Sequence, residues 1–212
     1  MGKRSSAYPS YTISESLEFA ERIYKNYGDN YRATREDIAD ALNYSAGSLT
    51  QKVSSASQYG FLDMKSKEGY KVTDLFIKCY RPLSEESKQK SLVEAFCNPP
   101  LYVELIESFK ENYLPPVKPL SNILFQKHSI SDSASDKAAE VFITSAESIG
   151  VLNKERFLTF KSETENVNDL EDDFEQLEDD SSGDDNASNN YTPVVIPPKI
   201  NKDSNQEKSN PN

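Results

Sequence analysis

The sequence predicts a mainly α-helical body that carries small β-hairpins and ends in an acidic tail. Apolar residues recur at helical spacing through most of 14–153. One stretch, YGFLDMKSKEGYKVTDLF at 59–76, breaks that rhythm with two short apolar runs around a lysine-rich turn. The charge is also lopsided. Of the net −11 carried by 212 residues, 1–160 hold 20 Lys and Arg against 21 Asp and Glu, whereas 161–212 hold 4 against 14. The acidity belongs to the tail and says little about what the body binds.

The elements follow in order. In SESLEFAERIYKNYG (14–28), Leu17, Ala20, Ile23, Tyr24 and Tyr27 share one helical face, with Ser14 as its cap and Gly28 as its stop. Thr34 opens a second helix over 35–43, with acids in the first turn where the helix dipole favours them. A third helix spans 47–59 with Leu49, Val53 and Ala56 inward. Strands at 61–64 and 70–73 then flank KSKEG, where glycine accepts positive φ without strain. Asp74 caps a helix that runs to Pro82. Three helices followed by a hairpin form the winged-helix arrangement, with 47–59 as recognition helix and 61–73 as wing.

The pattern then starts again. Helices are expected over 99–114, 120–128 and 135–153. At a shift of 90 residues, Val53, Ala56 and Gly60-Phe61-Leu62 fall on Ile143, Ala146 and Gly150-Val151-Leu152, which marks an internal repeat. NKERFLTF offers the second copy one short strand and no glycine turn. The expected organisation is therefore two tandem winged-helix subdomains, at 10–82 and 83–160, and a tail at 161–212.

TREDIADALNYSAGSLTQKVSSASQYGFLDMKSKEGYKVTDLFIKCYRP resembles a widespread family of bacterial and archaeal tandem winged-helix proteins, and SLVEAFCNPPLYVELIESF and LPPVKPLSNILFQKHSISDSASDKAAEVFITSAESIGVL resemble its second half. The likeness covers about 10–153, piece by piece and in order. It implies the fold and a role in nucleic-acid binding, without a defined activity. The tail lies outside it.

On this reading the outward face of helix 47–59 shows Ser48, Gln51, Ser55 and Gln58, with Lys52 on its flank. Short polar side chains let a helix approach base edges closely, and Gln pairs with adenine in the major groove. Lys65, Lys67 and Lys71 on the wing would meet phosphates, or simply keep a hairpin edge soluble. Tyr70 packs under the wing or stacks. The basic excess over 45–81 is only 3, which leaves a protein-binding face open as the alternative. With Lys137 its only base, the third helix of the second copy suits packing or dimerisation.

In the tail, residues 165–185 hold eleven acids and no base, and Leu170, Phe174 and Leu177 stand at i, i+4, i+7. This stretch reads as disordered in the free protein, either solubilising or poised to dock on a basic partner or on the wing lysines. Catalysis has little to stand on: one histidine, His128, no Gly-rich phosphate loop and no spaced metal ligands, so neither cofactor nor metal is expected. Cys79 and Cys97 suit a reduced cytoplasmic chain, with both thiols in or near the core. No apolar run is long enough to span a bilayer. The expected partners are duplex DNA, a second copy of the chain and a protein captured by the tail. The competing expectation is an adaptor subunit of a larger complex.

Overall fold

Side-chain caps decide where the helices begin. The structure, a computed structural model, describes residues 7–65, 68–110 and 112–160; Lys67 and the tail, with Leu170, Phe174 and Leu177, lie outside the described residues. Helix α1 (Ile13–Tyr27) is opened by Thr12, whose hydroxyl accepts from the Glu15 N–H while the Glu15 carboxylate accepts from the Thr12 N–H. The expected cap, Ser14, lies inside the helix, because only Thr12 has an acid three residues on. Thr34 caps α2 (Arg35–Leu42) in the same way with Asp37, and Ser45 opens α3 (Ala46–Gln58).

Strands β1 (Leu62–Lys65) and β2 (Gly69–Val72) pair antiparallel, Leu62 opposite Val72 and Lys65 opposite Gly69. Ala33 and Tyr70 exchange two backbone hydrogen bonds of 2.9 and 2.8 Å, so the residue before α2 also joins the hairpin. Gly69 has φ +100°, and a Cβ there would stand 2.3 Å from the Ala33 carbonyl oxygen. Only glycine fits. Tyr70 is buried beneath the hairpin rather than free to stack on a ligand. Helix α4 (Asp74–Tyr80) is capped by Thr73, whose hydroxyl accepts from Phe76 N–H and donates to the Gly60 carbonyl at 2.6 Å. The expected cap, Asp74, is its first helical residue.

The sequence reading missed α5 (Glu85–Phe96), whose buried face is only Ser91, Ala95 and Phe96. Then come α6 (Pro100–Phe109), α7 (Val117–His128) and α8 (Asp132–Ser148). The first of these ends well short of 114 because Leu114 N–H donates to the Arg156 carbonyl at 2.8 Å, which draws the chain out before Pro115 and Pro116.

The repeat is visible in the backbone. At the end of α3, Tyr59, Gly60 and Phe61 donate to Ser55, Ser57 and Ala56 at 3.1, 3.0 and 2.9 Å; after α8, Ile149, Gly150 and Val151 donate to Ser145, Glu147 and Ala146 at 3.3, 3.0 and 3.0 Å. Both glycines have positive φ, +81° and +71°. A miniature hairpin follows the second copy too: Leu152 bridges Leu158, and Thr159 donates to Val151 as Thr73 does to Phe61. It is shorter than its counterpart, which is why no glycine turn announced it.

One core runs through both segments, 10–82 and 83–160. Phe142 packs its ring on Phe96 and edge-on to Tyr102, at 5.4 and 4.8 Å between centroids. Beside it the Tyr59 hydroxyl donates to the Tyr11 carbonyl at 3.2 Å. Having one proton, it accepts from both Tyr102 and Ser145, each at 3.1 Å, while Ser145 also accepts from the Ile13 N–H at 3.1 Å. Every group in this buried cluster is satisfied.

Ser145→Ala would orphan the Ile13 N–H and one Tyr59 lone pair, and is expected to cost about 1–3 kcal/mol of stability in urea unfolding. Burial pushes the Tyr59 phenol up to about 12 and raises that of Tyr102 further. Phenols whose folded values exceed the free value of about 10 add stability that is intact below pH ~10 and lost as pH climbs through their folded values. Unfolding midpoints followed above pH ~10 should therefore fall, and fall less steeply in Tyr59→Phe.

Candidate nucleic-acid interface

Helix α3 stands against α1, α2 and β1, with Leu49, Val53 and Ala56 buried as the sequence predicts. Its outward face is not all open. Residues 7–12 lie along its second half as an extended arm. Ser10 N–H donates to Ser55 Oγ at 2.9 Å, Ser55 donates back to Gln51 O at 2.9 Å, and the residue is 1% exposed. Ser55 is thus removed from the expected reading face. Gln58 Nε2 donates to the Tyr8 carbonyl at 3.1 Å and to Ser54 Oγ at 3.2 Å, so its amide is also engaged. Lys52 Nζ sits over the Tyr11 ring at 4.0 Å and the Tyr44 ring at 5.4 Å. At the far end of the arm the Ala7 carbonyl accepts from Leu101 N–H, a donor at the uncapped start of α6. The strip left open is Gly47, Gln51 and Ser54, with Ser48 half-buried beside it.

The hairpin next to this strip carries exposed Lys65 and half-buried Lys71. Lys65 Nζ lies 3.8 Å from Glu68, an exposed pair of small worth. Lys71 has no ion-pair partner among the described residues. The sequence reading overlooked Arg32. Its guanidinium lies under the hairpin, paired with Asp63 and with Glu68 at 3.5 Å and donating to the Asp63 and Gly69 carbonyls at 3.3 Å. Arg32 therefore neutralises the two acids that would offset the hairpin lysines. Nothing local signals this, since Arg32 and Asp63 are far apart in sequence.

The second copy places the equivalent positions inside. Gln51 and Lys52 correspond at the 90-residue shift to Val141 and Phe142, which are 1% and 0% exposed. Helix α8 therefore offers no polar reading face. Its half of the fold instead exposes Tyr113 and Phe157, whose rings meet edge-on at 6.4 Å, together with Val117 and Phe125.

Groups of chemical interest elsewhere are engaged. His128 Nδ1 lies 2.8 Å from the Glu104 carboxylate. Burial raises both thiols, Cys79 to about 11, which keeps them protonated at neutral pH. No cluster among the described residues could hold a metal ion, and none of their helices is long and apolar enough to cross a membrane.

The Ser10 amide should be protected from hydrogen exchange through Ser55. In Ser55→Ala it is expected to exchange faster, by roughly tenfold for each 1.4 kcal/mol lost, with α1 amides unaffected. Equal protection in both proteins would show the arm to be held by other contacts.

The chain matches no known protein family, no curated protein and no solved structure.

Proposed function

We propose that this chain is a non-enzymatic regulator of the winged-helix type that binds duplex DNA as a homodimer. Its acidic tail modulates access or recruits a protein. The observation that carries this reading is the open strip of small and amide side chains on the first half of α3, standing beside a hairpin whose acids are taken by Arg32. Recognition helices of this kind read bases with their N-terminal residues, which is the half the arm leaves free. Gln51 is the base reader, Ser48 and Ser54 line its approach, and Lys65, Lys67 and Lys71 contact phosphates. One reading helix per chain favours a dimer, because two half-sites then share the specificity.

A second reading, an adaptor within a larger complex, is favoured by the exposed Tyr113–Phe157 pair. In that case Leu170, Phe174 and Leu177 would serve as further partner contacts.

The test is binding of the full chain to mixed duplex DNA at two salt concentrations. Lys65→Glu with Lys71→Glu is expected to weaken binding across all sequences and to lower the slope of log K against log salt by about 0.9 per lost phosphate contact. Gln51→Ala should instead change preference at one base pair by about 1–3 kcal/mol. Wild type and variants binding alike, or none binding, would overturn the DNA reading.

A further inference from the structure

Tyr44, in the turn between α2 and α3, gathers two cations from two other parts of the chain. Arg22 of α1 holds its guanidinium carbon 5.2 Å from the Tyr44 ring centroid, and its Nη1 donates to the Tyr44 hydroxyl at 2.6 Å. Its Nη2 reaches the Leu42 carbonyl at 3.4 Å. Lys52 of α3 approaches the same ring at 5.4 Å and is backed by Tyr11 of the arm at 4.0 Å. Neither cation has a carboxylate partner among the described residues.

Cation–π contacts at partly exposed sites contribute roughly 0.5–1 kcal/mol and leave the charge in place. Two like charges sharing one ring therefore remain uncompensated. The Tyr44 hydroxyl oxygen already accepts from Arg22, while its own proton has no acceptor among the described residues. An ammonium, a phenolic O–H and the unused N–H groups of a guanidinium thus converge beside the start of α3. Converging donors with surplus positive charge suit an anion with several oxygens.

We propose that Arg22, Tyr44 and Lys52 form a phosphate-binding site, with Tyr11 of the arm holding Lys52 in place. The site takes a phosphodiester group of the duplex that α3 reads, and in that respect it rests on the DNA-binding reading. It lies on the α1 flank of α3, whereas the wing lysines come from the hairpin, so a duplex docked on the open strip would be gripped from both. Free polyphosphates share the same chemistry.

Two measurements on the full chain separate the possibilities. In thermal unfolding, inorganic tripolyphosphate should raise the midpoint of the wild type but not of Arg22→Gln with Lys52→Gln. Tyr44→Phe, which keeps the ring, should show a smaller rise, and Arg22→Lys should retain most of it. An equal rise in the wild type and the double variant would overturn the site and leave the two cations as structural clamps. In duplex binding, the salt slope is expected to fall by about 0.9 for each cation removed. An unchanged slope, with the tripolyphosphate effect lost, would overturn the DNA backbone as the source and assign the site to free phosphates. Should the wild type bind no DNA, the functional reading fails, and the tripolyphosphate measurement still decides the site by itself.

Discussion

The buried Tyr59–Tyr102–Ser145 hydroxyl cluster is the constraint around which the rest of the molecule is arranged. It sits where the end of α3, the start of α6, the last turns of α8 and the entry to α1 meet, and it ties them through side chains rather than through a sheet. A hydroxyl with one proton and two lone pairs satisfies three neighbours at once, and in a dry environment each unmet partner would carry its full desolvation cost. Moving any one of the four elements leaves a buried polar group alone. This is also why the arm follows α3: Tyr11, whose carbonyl takes the Tyr59 proton, is followed directly by Thr12, which caps α1.

Seen from that cluster, the internal repeat has been put to two uses. Ser55 and Ser145 hold equivalent positions, and each accepts a backbone N–H from the same N-terminal stretch, Ser10 in one case and Ile13 in the other. The segment therefore threads between matching faces of α3 and α8. The copies differ in what surrounds those serines. Val141 and Phe142 replace Gln51 and Lys52, and α8 becomes the central helix of the common core. A helix apolar on most sides has to be covered, and α5 and α6 cover it, with Phe96 and Tyr102 on Phe142. The first copy keeps its polar strip and its longer hairpin. One repeat serves as scaffold and the other faces outward.

Charge is organised by the same economy of contacts. Most pairs on this body are short-range and exposed, such as Glu21–Lys25 and Lys118–Asp136, and contribute little. The informative cations are those held by something other than a carboxylate. Arg22 and Lys52 rest on Tyr44, Arg81 lies over Tyr24 and Tyr80, and Arg156 donates to the Leu114 and Pro115 carbonyls. Their charge stays available to a partner.

The sequence alone determined what depends on neighbours along the chain. Helical periodicity placed α1 to α4 to within a few residues, Thr34 and Gly28 marked ends that hold, and the Gly60 and Gly150 matches disclosed the repeat. Caps went astray at Ser14 and Asp74 because the choice between nearby hydroxyls and acids depends on a reciprocal partner or a distant carbonyl. Helix α5 escaped notice because so few of its residues are apolar and buried. Tertiary structure alone decided which parts of α3 face solvent. Ser55 and Gln58 point away from Leu49, Val53 and Ala56 on any helical wheel, yet an arm more than forty residues earlier in the chain covers them. Arg32 beneath the hairpin and Arg22 beside Lys52 are likewise contacts across long separations, which periodicity cannot register because it records only the spacing of residues on one element.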